Sequence, residues 1–237
     1  MTRLKQAIRS ELIAGWSTFD RCFLLAGLLL QVIVFALAPE RPIVIVSGLT
    51  GIISVVLCSK GKISHYAFGF VQVLTYLVIA WQQRLYGEVG INVFYFFSMI
   101  YGLAVWLRRY HVDEQTGSAE LQTRKLSAAW WITTVAAVLL GSLLTGWLLA
   151  TFTDDSDPYL DAFTTIPAIA GQLLMVFGYR EQWFFWFCID VGCVWLWFRA
   201  GNWSMAALYA FWCANCIRGF LHWTRSVQLN ETNLRDI

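Results

Sequence analysis

Apolar residues along this chain gather in eight long stretches, at about 22–38, 42–59, 66–83, 88–107, 127–152, 160–178, 183–199 and 203–223. Short polar breaks separate them. At about 1.5 Å per residue, most are long enough to cross a hydrocarbon core of about 30 Å. Apolar and polar residues do not alternate at period two, so barrel strands are disfavoured. Helices that satisfy their own backbone in lipid are predicted instead. The first stretch follows a charged and polar leader and lacks a small-residue cleavage pattern. It is expected to be a retained helix rather than a cleaved signal.

The stretches also repeat. Residues 52–106 laid without a gap on 169–223 match at Ile52/Ile169, Leu57/Leu174, Gly61/Gly178, Phe68/Phe185, Phe70/Phe187, Phe94/Phe211, Ile100/Ile217, Gly102/Gly219 and Trp106/Trp223. Aromatic residues exchange at Tyr66/Trp183, Tyr86/Trp203 and Tyr95/Trp212. Three apolar runs and their two polar breaks stay in phase throughout. The expected fold is an all-α polytopic membrane protein of eight spans. Residues 1–40 hold the N-terminus and an extra first helix, 41–107 a three-helix unit and 108–126 a charged connector. A linking helix follows at 127–152, then a second three-helix unit at 158–224 and a tail at 225–237. One linking helix makes the second unit enter from the same side as the first, so the repeats are parallel. Duplicated membrane halves commonly build transporters with a site between the repeats near mid-bilayer.

Composition agrees with lipid as the solvent: 58% of the 237 residues are apolar, 14% are charged, and the mean hydropathy is +0.58. The basic residues set an orientation. With the N-terminus in the cytoplasm, Arg3, Lys5, Arg9, Arg21, Lys60, Lys62, Arg108, Arg109, Arg124, Lys125, Arg180, Arg218, Arg225 and Arg235 fall on or near the inner side. Only Arg41, Arg84 and Arg199 fall outside, which is the positive-inside pattern. Both termini are then cytoplasmic, and the acidic loop of Asp154, Asp155, Asp157 and Asp161 faces out.

Several chemistries have no residues to carry them. Cys22, Cys58, Cys188, Cys193, Cys213 and Cys216 lie in or at the ends of apolar runs, and the Cys213-x-x-Cys216 pair lacks a second pair or a nearby His to complete a metal site. His65, His111 and His222 sit at predicted cytoplasmic edges, and every lysine is in a loop. A haem, a retinal Schiff base, a phosphate-binding loop and an intramembrane catalytic set are therefore not expected. No enzyme activity, cofactor, metal or nucleic-acid partner is predicted.

What remains inside the bundle is polar and almost uncharged. Tyr66, Gly69, Gln72 and Tyr76 share one helical face, as do Trp183, Trp186 and Asp190. The next helices offer Asn92, Tyr95 and Ser98, then Tyr209, Trp212 and Asn215, and Gln172 stands inside the sixth run. An Asp at the bilayer centre costs about 2.5–3.5 kcal/mol on insertion scales and marks a functional position facing a cavity. Amides also glue membrane helices together, and Trp and Tyr also form interface belts. Gln31, Trp16, Trp106 and Trp223 are assigned to those structural roles, and Gln72 could serve in either. The candidate substrate site is Trp183, Trp186, Asp190, Asn92, Tyr95, Gln172, Tyr209, Asn215 and Gln72. Aromatic rings beside amides and one carboxylate suit a flat, polar-edged, cationic ligand.

Ile63-Ser-His-Tyr-Ala-Phe-Gly-Phe, Leu85-Tyr-Gly-Glu, Asn92-Val-Phe-Tyr-Phe and Ile100-Tyr-Gly with Trp106 resemble the first half of PnuC-type nicotinamide riboside transporters. Gly171-Gln-Leu-Leu-Met, Glu181-Gln-Trp-Phe-Phe-Trp, Asp190-Val, Leu208-Tyr, Gly219 and Trp223 resemble the second half. The resemblance covers about 45–225, with Gln182 where the family often has Asn before the Trp. It implies a 3+1+3 core related in architecture to SWEET sugar transporters and assembling as a homotrimer. It also implies facilitated uptake of nicotinamide riboside across a bacterial inner membrane, with trapping by intracellular phosphorylation. The extra first helix lies outside it. Relatives suggested to carry thiamine or riboflavin leave other flat vitamins open as substrates, and a non-transporting membrane receptor is the alternative from another class.

Overall fold

In the computed structural model, residues 10–11, 14–39, 41–112, 117–154 and 157–233 are described. Arg3, Lys5, Arg9, Arg235 and Asp155 of the charge argument lie outside them. Eight helices are found among the described residues: α1 (Thr18–Leu37), α2 (Pro42–Ser59), α3 (His65–Gln82), α4 (Tyr86–Leu107), α5 (Ala128–Phe152), α6 (Pro158–Val176), α7 (Gln182–Arg199) and α8 (Trp203–Asn233). Local chemistry starts several of them. Ser17 and Asp20 form a reciprocal capping box at α1, and Pro42 and Pro158 open α2 and α6, where a missing N–H costs nothing. The last helix runs on to Asn233, beyond the apolar run that ends near 223.

Five helices, α1, α2, α4, α5 and α6, are long and apolar enough to cross a membrane by length and composition. The other three have the length, but polar residues dilute their hydropathy. They carry Gln72 and Tyr76 (α3), Asp190 (α7), and Tyr209, Asn215, Arg218 and His222 (α8). Outer faces are apolar, with Phe97 and Ile100 of α4, Leu140 and Leu144 of α5 and Trp195 of α7 exposed, as lipid contact requires.

The duplication is visible in backbone geometry. In each unit the first turn holds a left-handed glycine, Gly61 (φ 65) or Gly178 (φ 72). The second turn holds Arg84 (φ 60) or its equivalent Gly201 (φ 73). Arg84 is the one non-glycine residue with positive φ among those described, held there by its place in the repeat. The units also pack reciprocally: α4 lies on α6, and α2 lies on α8. Trp106 Nε1 donates to the Met175 carbonyl at 3.1 Å, and its equivalent Trp223 Nε1 donates to Cys58, the equivalent of Met175, at 3.2 Å. These bonds gather the C-terminal ends of α2, α4 and α6 and the equivalent point of α8 at one side of the bundle, so the repeats run parallel.

That side also carries the connector, which is a two-stranded hairpin rather than plain loop: β1 (Tyr110–Val112) pairs antiparallel with β2 (Ala119–Leu121). It straps the two units together at equivalent points. Leu121 N donates to the Gly61 carbonyl at 2.9 Å, and Arg124 N donates to the Gly178 carbonyl at 2.8 Å. Thr123 Oγ1 donates to the Trp223 carbonyl at 2.9 Å. Lys60 and Lys62, read as loop lysines, are buried here. Lys60 pairs with Asp20 at 3.0 Å, and Lys62 donates to Ser118 and approaches Glu120 at 3.5 Å. Burial pushes the Lys62 ammonium below the usual lysine range, opposed by Glu120 and Glu11. Burial also pushes the Glu120 carboxyl up, but the hydrogen bond and charge of His222, with Lys62, outweigh it and hold its pKa at about 2.

Helix α1 packs on α2 and α8. Phe23 stacks on Phe211 at 4.5 Å, Gly27 accommodates that same ring, and Gln31 lies against Gly48. Asp20 bonds both Lys60 and Arg218. The extra helix thus seals one seam between the repeats.

Candidate substrate site

The aromatic layer next to the connector is the most tightly closed part of the bundle. Tyr66, Trp106, Trp183 and Trp223 are buried, with edge-on contacts for Tyr66–Trp106 at 5.3 Å, Trp106–Trp223 at 5.9 Å and Trp183–Trp223 at 5.7 Å. Gly102 and Gly219 create the room. A Cβ at Gly102 would lie 2.6 Å from Tyr66 Oη, and one at Gly219 would strike the Trp183 ring. Trp183, a candidate ligand contact, therefore belongs to this floor, where its Nε1 has no partner among the described residues. The equivalent pair His65 and Gln182 flank it, each with a buried nitrogen that has no nitrogen or oxygen partner among the described residues.

One layer deeper, the candidates meet between the units. Trp186 lies over Gly171, whose missing side chain lets the indole approach; a Cβ there would sit 3.1 Å from its Nε1. Trp186 also meets Tyr95 across the seam at 6.3 Å. Gln172, 6% exposed, donates from Nε2 to Ser98 Oγ at 2.9 Å, linking α6 to α4. At the opposite seam, Asn215 donates to the Val55 carbonyl at 3.2 Å and accepts from Arg218, linking α8 to α2. Ser98 and Asn215 are repeat equivalents, as are Val55 and Gln172, so both seams are joined at the same depth. Gln72 and Trp212 converge above Gly51.

Asp190 stands about 12 Å along α7 from its connector end, at 1.5 Å per residue. It is 6% exposed, and its carboxylate accepts from the Cys216 thiol at 3.4 Å. No lysine, arginine or histidine pairs with it among the described residues, although Asp20, Glu120 and Glu181 all have ion-pair partners. Tyr209 lies close enough to interact with both Asp190 and Tyr76. Asn92, the equivalent of Tyr209, is buried and donates to the Glu88 carbonyl of its own helix at 2.8 Å.

The structure therefore brings Trp186, Tyr95 and Gln172 together, places Asp190 near Tyr209, and puts Gln72 beside Trp212. Trp183 goes to the floor, Asn215 to a seam, and Asn92 to its own helix. The candidate list left out Ser98, though it stood among the polar positions inside the bundle, and sequence reasoning missed Cys216. Ser98 was signalled by its equivalence to Asn215, whereas Cys216 looked like any buried thiol. The surface depression lined by Lys125, Leu126, Ser127, Trp130 and Tyr179 lies at the connector edge, away from these residues. Among the described residues no cluster of His, Cys, Asp and Glu could hold a metal ion.

A family model described as a nicotinamide mononucleotide transporter matches residues 41–225. A nicotinamide riboside transporter PnuC from Neisseria mucosa is 32% identical over 228 residues, covering 93% of this chain and 86% of the relative. One from Haemophilus influenzae is 30% identical over 226 residues, covering 95% and 98%. One from Escherichia coli is 26% identical over 207 residues, covering 77% and 85%. A crystal structure of the vitamin B3 transporter PnuC matches with a TM-score of 0.79 at 30% identity, over 93% of this chain and 96% of the other. Coverage that wide extends into α1, so the first helix, expected to fall outside the resemblance, is shared with these relatives at least in part. The chain is a polytopic membrane protein that belongs to the nicotinamide mononucleotide transporter family, alongside the PnuC nicotinamide riboside transporters, and is a transporter rather than an enzyme.

Proposed function

We propose that this protein takes up nicotinamide riboside across a bacterial inner membrane, binding it between the two three-helix units. The observation that carries the reading is Asp190, a buried carboxylate with no cationic partner among the described residues, near Tyr209 and one helical turn along α7 from Trp186. A buried charge is costly unless paired, and a pyridinium ring supplies the missing cation while aromatic side chains hold its faces. The relatives named as nicotinamide riboside transporters supply the rest of the argument.

Transport is by facilitated diffusion. Ion coupling needs a relay or an ion site within the membrane. Among the described residues Asp190 is the one carboxylate deep in a span; Asp20, Glu88 and Asp161 lie in first helical turns. Phosphorylation inside the cell traps the product. The connector side faces the cytoplasm, following the basic residues, and the family resemblance supports a homotrimer. Engineered cysteines at 154–157 should be labelled from outside and those at 113–120 from inside.

The test of function uses purified protein in liposomes without an ion gradient, with the voltage clamped by a potassium ionophore. Labelled nicotinamide riboside should equilibrate across the membrane. Concentrative uptake that appears only with an imposed proton or sodium gradient would overturn the mechanism. Equilibration of thiamine or riboflavin instead would overturn the substrate.

A further inference from the structure

The seam between α4 and α6 fixes the direction of its hydrogen bonds. Ser98 Oγ donates its single hydrogen to the Tyr95 carbonyl of the preceding turn at 2.9 Å. Its oxygen can then only accept from Gln172, which stands 2.9 Å away. The Gln172 amide therefore turns its NH₂ toward Ser98 and leaves Oε1 on the other side. That oxygen has no partner among the described residues, and it is not sealed off as the buried nitrogens of His65, Gln182 and Trp183 are. Orientation of the amide thus follows from the serine, not from the fit of the amide itself.

The equivalent seam behaves differently. Asn215 spends its NH₂ on the Val55 carbonyl, and its oxygen accepts from Arg218, so both ends of that amide are used. One seam is adhesive, while the other retains an unpartnered acceptor on the residue that follows Gly171, where the Trp186 indole lies.

We propose that Gln172, oriented by Ser98 as a positioning residue, selects a neutral carboxamide over a carboxylate on the ligand ring. The inference rests on the pyridine-nucleoside reading given above. A carboxamide NH₂ donates to Oε1. A ring carboxylate has no hydrogen to give and sets negative oxygen against the carbonyl oxygen, leaving both without a partner. Without Ser98 the Gln172 amide can rotate and offer its NH₂ to either ligand, so discrimination falls while binding of the ring persists.

The experiment measures competition of nicotinamide riboside and nicotinic acid riboside for the purified protein, for wild type, Ser98→Ala and Ser98→Thr. Wild type should favour the amide by about tenfold or more, the scale of one buried polar group left unpaired. Ser98→Ala should bring the ratio down by several-fold, and Ser98→Thr, which keeps the hydroxyl, should restore it. A ratio is insensitive to the fraction of protein folded, so a merely structural role for Ser98 would not move it. A wild-type ratio near one, or a ratio unchanged in Ser98→Ala, overturns the inference while leaving nicotinamide riboside as substrate. Binding of neither riboside by wild type overturns the substrate reading itself.

Discussion

The connector-side floor and the mid-membrane layer are made from the same duplicated unit, and they use it in opposite ways. In the floor, equivalent residues do equivalent things. Trp106 and Trp223 bond the carbonyls of Met175 and Cys58, Gly102 and Gly219 admit Tyr66 and Trp183, and Gly61 and Gly178 receive the connector strap. One layer away the equivalence is broken. Gly69 faces Ser54 and the Met99 side chain, whereas its counterpart Trp186 lies on Gly171, the counterpart of Ser54. Val73 is a buried aliphatic, and its counterpart is Asp190. Asn92 bonds its own helix, and its counterpart Tyr209 lies near Asp190. A frame can be symmetric because each half packs on the other in the same way. A site for one asymmetric ligand cannot be symmetric, and the proposed site is drawn from positions where the repeat is broken.

The largest expected effect is on the frame. Trp106→Ala and Trp223→Ala should each cost about 3–5 kcal/mol, the usual loss for a large buried aromatic, and the two losses should be similar. Thermal melting in detergent measures both; one silent variant would break the symmetry claimed for the floor. A smaller effect is expected in the site. Trp186→Ala should weaken nicotinamide riboside binding by about 1–3 kcal/mol with little change in melting temperature, because its ring is only partly buried. Loss of stability without loss of affinity would move Trp186 into the frame. The smallest effect is at the second turn of each unit. Arg84→Gly should raise stability by about 1 kcal/mol and Gly201→Ala should lower it by a similar amount, since both positions require the left-handed conformation. Opposite signs on the melting curve sharpen the comparison, and equal signs contradict it.

Most of the fold was legible because lipid imposes simple rules. Helix positions followed from the length of the apolar runs, and repeat identities at glycine and tryptophan picked out residues with a single steric role. The connector was less legible. Lys60, Lys62 and Glu120 looked like ordinary solvated charges, yet all three are in ion pairs and both lysines are buried, since the partners come from distant parts of the chain. The site was read halfway. Helical spacing put Trp183, Trp186 and Asp190 on one face, but it could not show that Trp183 falls in the floor while Trp186 falls between the units. Nor does sequence say which amides are already satisfied. Asn92, Asn215 and Gln172 look alike in a sequence, and only the bonds at Glu88, Val55, Arg218 and Ser98 separate them.

The central claim is that Asp190 in the broken-symmetry layer meets the cationic ring of the ligand. The direct measurement compares affinities of nicotinamide riboside and its reduced, uncharged dihydropyridine form for wild type and Asp190→Asn. The account predicts a loss of about tenfold or more for the cation, the scale of a hydrogen-bonded charge contact, and almost none for the neutral form. Equal losses for both ligands, or no loss for the cation, would contradict it.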